Sequence, residues 1–171
     1  MPFRLNDSAK KWFKDISKDF GQAPMFDMYY FCVMAGLATN TLTLLPDAET
    51  SELVDSFPGE YGAKGRLIMS LFISRELRRQ GVNFTERAAV NASIRRLVDP
   101  NSPSRLSSEG MKLLNQYGYG GFEVLIRWFG NKPDDRPRTL ATFLPLFHRY
   151  LEKSLEEVDG ETVSTRHTPR C

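Results

Sequence analysis

The chain has 171 residues, 41% of them hydrophobic with 12 phenylalanines, and a formal net charge of +2. That suits one domain with a real apolar core. It argues against a membrane protein, because no apolar run approaches the ~20 residues that cross a bilayer.

The apolar spacing is helical almost throughout. Trp12, Phe13, Ile16 and Phe20 recur at three- and four-residue steps between a cap at Asp7 or Ser8 and Gly21, which predicts a first helix. Pro24 opens a second, Met25 to Ala38, apolar on most sides and therefore central. The best strand candidate, Leu42 to Leu45, is too short to organise a sheet. A short acidic helix is expected from Ser51 to Phe57, stopped by Pro58-Gly59. A fourth helix runs from Ala63 to Gln80 and stops at Gly81. Thr85 is the expected cap of a fifth, which ends at Val98 before Asp99-Pro100.

Ser107 caps a sixth helix, with Leu106 and Met111 placed as a hydrophobic staple. The run Tyr117-Gly118-Tyr119-Gly120-Gly121 reads as a turn into a seventh helix, Phe122 to Phe129. The last helix carries the clearest stripe: Leu140, Phe143, Leu144, Phe147, Tyr150, Leu151 and Leu155. Pro145 either bends it or sets its start a turn later. The fold expected is all-α, a compact single-domain bundle of seven or eight helices over residues 1–157. A polar, disordered tail is expected over 158–171.

Charge is segregated along the chain. Between Lys64 and Arg96 the basic residues are Lys64, Arg66, Arg75, Arg78, Arg79, Arg87, Arg95 and Arg96, against only Glu76 and Glu86. Just before them, Asp47, Glu49, Glu52, Asp55 and Glu60 have no Lys or Arg among them. Arg75, Arg78 and Arg79 share one helical face, and arginine forks suit phosphate oxygens. These eight residues are the candidate nucleic-acid contacts. The competing reading is intramolecular: the acidic 47–60 segment neutralises them, and basic residues near helix C-termini serve the macrodipole.

Other constellations are weaker. The Gly118–Gly121 run lacks the preceding strand and following Lys-Ser/Thr of a phosphate-binding P-loop. Asp47, Glu49, Glu52 and Asp55 offer carboxylates for Mg²⁺, with Glu52 and Asp55 on one helical face and Lys64 the nearest charge stabiliser. His148 and His167 have no ligand partners at zinc spacing. Cys32 lies in an apolar run and reads as an inert buried thiol rather than a nucleophile paired with His148. Cys171 is in the tail, so no bridge between the two is expected. Free thiols and the lack of an apolar stretch behind MPFRLNDSAKKW fit a cytoplasmic protein.

Two blocks, ELVDSFPGEYGAKGRLIMSLFISRELRRQG (Glu52 to Gly81) and LSSEGMKLLNQYGYGGFEVL (Leu106 to Leu125), together resemble small helical accessory proteins of bacterial DNA phosphorothioation and phage-defence systems. The resemblance implies a DNA-associated subunit working with other protein subunits, and it supplies no catalytic motif to carry over. The leading expectation is a DNA-binding or DNA-processing accessory subunit that needs no cofactor. The alternatives are a helical protein interaction module, homo- or hetero-oligomeric, and a DNA nickase using Mg²⁺ at Glu52 and Asp55.

Overall fold

The computed structural model describes residues 1–16, 23–44, 46–130, 137 and 139–164, with side chains described as far as 156. Among these the chain forms six α-helices and one two-stranded antiparallel sheet. In chain order they are β1 (Arg4–Asn6), α1 (Asp7–Ile16), α2 (Met25–Thr39), β2 (Thr50–Glu52), α3 (Gly62–Arg79), α4 (Arg87–Leu97), α5 (Ser108–Phe129) and α6 (Leu140–Ser164). The all-α character expected from periodicity holds; the count of seven or eight helices does not. Phe20, Gly21, Leu45, His167 and Cys171 lie outside the described residues.

Two expected elements account for the difference. The acidic helix at Ser51–Phe57 is instead β2 followed by coil, with Arg4↔Glu52, Leu5↔Ser51 and Asn6↔Thr50 as its pairs. The pairing continues past the strands, because Phe3 N donates to Val54 O at 2.9 Å and Leu53 N to Phe3 O at 2.9 Å. Leu42–Leu44 forms no strand.

The second difference is that the expected sixth and seventh helices are one. The GYGG run is continuous helix inside α5, and its glycines serve close approach rather than a turn. A Cβ on Gly121 would lie 1.7 Å from the Cys32 carbonyl oxygen of α2, and one on Gly36 would lie 2.0 Å from the Tyr117 carbonyl oxygen. Any side chain at either position would hold the two backbones apart. Each glycine costs helix propensity of about 1 kcal/mol, offset here by the packing of α2 along α5.

That seam is the centre of the molecule. Tyr29, Cys32, Val33 and Ala35 of α2 and Leu114, Tyr117 and Leu125 of α5 are at most 1% exposed. α2 ends where Asn40 adopts φ 54°, a left-handed cap that asparagine tolerates. An aromatic cluster closes the far side, where Phe143 of α6 stacks near Phe147 and meets Phe31 at 5.1 Å and Phe129 at 5.1 Å. Pro145 sits within α6, which begins at Leu140 rather than a turn later. The N-terminal strand is pinned by buried Asn115. Its Oδ1 accepts from Arg4 N and the Tyr29 hydroxyl, and its Nδ2 donates to Pro2 O.

α3 ends near its expected stop, with Gly81 at φ 69°. α4 is not capped by Thr85, whose hydroxyl and N–H both turn back to Asn83 Oδ1. Glu86 occupies the cap position without a side-chain bond. Ser107 does cap α5, accepting from Gly110 N at 2.9 Å, and Leu106 and Met111 are both buried as the staple requires.

Candidate functional site

The C-terminal turns of α3 and α4 converge on one buried carboxylate. Glu76 is 0% exposed, and a carboxylate that deep must be paired or neutralised. Arg79 supplies a two-toothed grip, Nε to Oε1 at 2.9 Å and Nη2 to Oε2 at 2.8 Å. The Tyr117 hydroxyl of α5 donates to Oε1 at 2.8 Å and Gln80 Nε2 to Oε2 at 3.3 Å. Arg96 of α4 brings Nη2 within 4.0 Å of the same carboxylate and Nη1 within 3.4 Å of Glu109. Ser93 of α4 bonds Gln80, closing the junction.

Burial pushes the Glu76 carboxyl up, but hydrogen bonds from Arg79, Tyr117 and Gln80 more than offset it, and the net position is below the usual carboxylate range. Those bonds to the charged form raise Arg79. Tyr117 is raised by burial first, then by the Glu76 charge.

The eight basic candidates therefore divide. Arg79 of α3 and Arg96 of α4 meet at Glu76, and Arg78 and Arg95 precede them in the last turns of the same two helices. Arg79 and Arg96 are held there with side chains 38% and 40% exposed, and Nη1 of Arg79 is left out of its pair with Glu76. Arg75 is half-buried and donates from Nη2 to the Ala38 carbonyl at 3.0 Å. Lys64 lies at the opposite end of α3, its Nζ 5.1 Å from the Tyr61 ring centroid. Arg66 also belongs to that end, and Arg87 begins α4. In place of the single face expected from spacing, Arg79 and Arg96 meet at one carboxylate, Arg78 and Arg95 sit beside them in the same helical turns, and the other four are dispersed.

Asp47 and Glu52 of the acidic segment pair away from the α3–α4 corner. Their partner is Arg4, whose Nη1 meets Glu52 Oε1 at 2.6 Å and whose Nε lies 3.8 Å from Asp47 Oδ1. Arg4 also donates to Thr50 Oγ1 and to the carbonyls of Asp47 and Thr50. Glu52 and Asp55 share no helical face, because Glu52 is in β2 and Asp55 in the coil after it. Among the described residues no three His, Cys, Asp or Glu side chains are grouped to hold a metal ion. Cys32 is fully buried, and burial pushes its thiol far up, which keeps it protonated.

Two further surfaces went unread in the sequence. One is a groove of about 250 Å³ between α3 and α6, floored by Met34 and Leu37 of α2 and edged by Arg75 and Arg78. Leu67, Leu71 and Leu155, on the two helices that flank it, are exposed. The other is a cleft of about 680 Å³ between the first half of α3 and the 99–106 loop, lined in part by Arg66 and Arg105. Arg105 adopts φ 64°, a left-handed conformation that costs a long side chain about 1–2 kcal/mol.

The Glu76 junction had a partial signal, since Arg79 and Gln80 follow at i+3 and i+4. Tyr117 and Arg96 had none, being 41 and 20 residues away in sequence. No helix among the described residues is long and apolar enough to cross a membrane. A scan against protein-family models finds no match, and searches of curated proteins and of solved structures find no similar chain.

Proposed function

We propose that this chain is a DNA-binding accessory subunit that grips the phosphate backbone at the α3–α4 corner. The observation that supports the reading most is the meeting of Arg79 and Arg96 at Glu76, which joins the two helix ends that also carry Arg78 and Arg95. A buried carboxylate that takes two nitrogens of Arg79 fixes the plane of its guanidinium and leaves another edge outward. The last turns of α3 and α4 carry four arginines, and the carboxylates paired there are Glu76 and Glu109. Arginines at helix C-termini also serve the dipole, which lowers the positive charge available to a ligand. The reading therefore implies modest, non-specific, salt-sensitive affinity rather than base readout. In this reading the subunit works beside other proteins of a DNA-modification or defence complex.

Equilibrium binding of a fluorescent 20-base-pair duplex at low ionic strength tests it. Saturable binding that weakens at least five-fold in the R78A/R95A variant is expected. Both side chains are exposed, so the fold persists in that variant. Absence of binding at low salt, or an unchanged affinity in the variant, would remove the proposal.

A second reading rests on the groove lined by exposed Leu71 and Leu155, with Leu67 exposed one turn earlier on α3. Its occupant is a second copy of the chain, whose exposed acidic 47–60 segment, carrying Val54 at 40% exposure, complements the arginine edge in trans. Micromolar self-association by light scattering, reduced by salt and by L71D, is its expected signature. A strict monomer would end it.

A further inference from the structure

The cleft between α3 and the 99–106 loop has the chemistry of an anion site with an apolar floor. Arg66 reaches it from α3 and Arg105 from the loop, and both are exposed. Among the described residues neither lies within 4.0 Å of a carboxylate, and no acidic side chain lines the cleft. Two guanidiniums facing one space without a counter-charge is an arrangement that a bound anion would complete.

The loop that carries Arg105 is mounted rigidly. Asp99 N donates to Arg105 O at 3.1 Å, Arg105 N donates to Ser102 O at 3.0 Å, and the Val98↔Leu106 bridge closes its neck. Those bonds hold Arg105 in a left-handed conformation where glycine or asparagine would sit without strain. Such strain at a residue lining a cleft points to a use for its side chain.

The remaining lining fixes the rest of the ligand. Ser104, 3% exposed, accepts from Leu106 N and retains its own hydroxyl proton, with only Ser102 Oγ at 3.4 Å to receive it. The Ser70 hydroxyl is also at the wall. Half-buried Phe57, with its ring held against Phe3 and Phe26, and Met69 supply flat apolar surface. The volume falls in the range of small-molecule sites.

We infer that this cleft binds a phosphate monoester carried on a flat apolar group, the chemistry of a nucleoside 5′-phosphate. The arginine forks take the phosphate oxygens, Ser104 donates to a third, and the base lies over Phe57 and Met69.

Isothermal titration calorimetry with adenosine 5′-monophosphate, adenosine and inorganic phosphate tests the assignment on the full chain. The monophosphate is expected to saturate one site, and adenosine to bind at least ten-fold more weakly. R66Q and R105G are each expected to weaken the monophosphate at least ten-fold. R105G relieves the left-handed strain and so should melt no lower than the wild type, which separates loss of the ligand from loss of the fold. R66Q, at an exposed helical position, supplies the same readout independently. R78A/R95A, in the last turns of α3 and α4, should leave the monophosphate affinity unchanged. No saturable binding at millimolar monophosphate, equal binding of adenosine, or full affinity in R105G would overturn the site. Inorganic phosphate binding as tightly as the monophosphate would overturn its apolar half.

Discussion

The α2–α5 seam and the α3–α4 corner are both places where helices meet closely, but they are held by opposite means. At the seam, glycines bring backbone against backbone, and the buried side chains between them are apolar apart from the Tyr29–Asn115 hydrogen bond. At the corner, the contact is a carboxylate with four donors around it. The seam depends on shape and tolerates no added atom. The corner depends on charge, so pH and salt reach it while the seam is indifferent to both. A surface meant to meet a charged partner is better built on the second kind of junction.

The largest expected effect comes from adding one methyl at the seam. G121A places a Cβ against the Cys32 carbonyl, and neither backbone can yield cheaply. A loss of about 3 kcal/mol is expected by urea denaturation even after the gain in helix propensity. If G121A is neutral, the seam is looser than its geometry says.

At the corner, E76A is expected to cost about 2 kcal/mol, chiefly by leaving the buried Tyr117 hydroxyl only the longer bond to Asn40 Oδ1 at 3.3 Å. Arg79 adds little, since its side chain is 38% exposed and can turn to water. E76Q sharpens the comparison through pH. Glu76 titrates lower in the folded state than in the unfolded one. Its contribution is therefore complete above the ordinary carboxylate value of about 4.3 and fades as pH falls through the lower folded value. The stability gap between wild type and E76Q should be constant from pH 6 to 8 and shrink below about pH 4. A gap that widens in acid would contradict the sign.

The smallest of these effects is local. S107A removes the α5 cap and should cost about 1 kcal/mol, whereas T85A should cost much less, because Thr85 caps no helix. Paired thermal melts resolve that difference.

What the sequence displayed was whatever local chemistry decides. Pro24, Gly81 and Ser107 mark real helix boundaries because each acts through its own φ, missing donor or hydroxyl. Gly118–Gly121 misled for the same reason: four neighbouring residues rich in glycine look like a turn unless the partner backbone at Cys32 is in view. The strands escaped because three residues carry too little alternation to register, and the partner of β2 is 46 residues upstream. For the candidate site, residue type was legible and placement was not. The eight basic residues were visible, but their division between corner, groove and cleft follows from how α4, α6 and the 99–106 loop each meet α3. The left-handed backbone of Arg105 has no signature in an arginine codon's neighbours.

The central claim is that convergence at the corner, rather than the mere number of arginines, makes the phosphate-binding surface. Its most direct test is the salt dependence of duplex DNA binding in two double variants that remove the same charge. For wild type, four contacts predict a slope of log K against log salt of roughly −3.5. R78A/R95A should flatten it by about 2, and R66A/R87A should leave it nearly unchanged. Equal flattening in the two variants, or a larger change in R66A/R87A, would contradict the account.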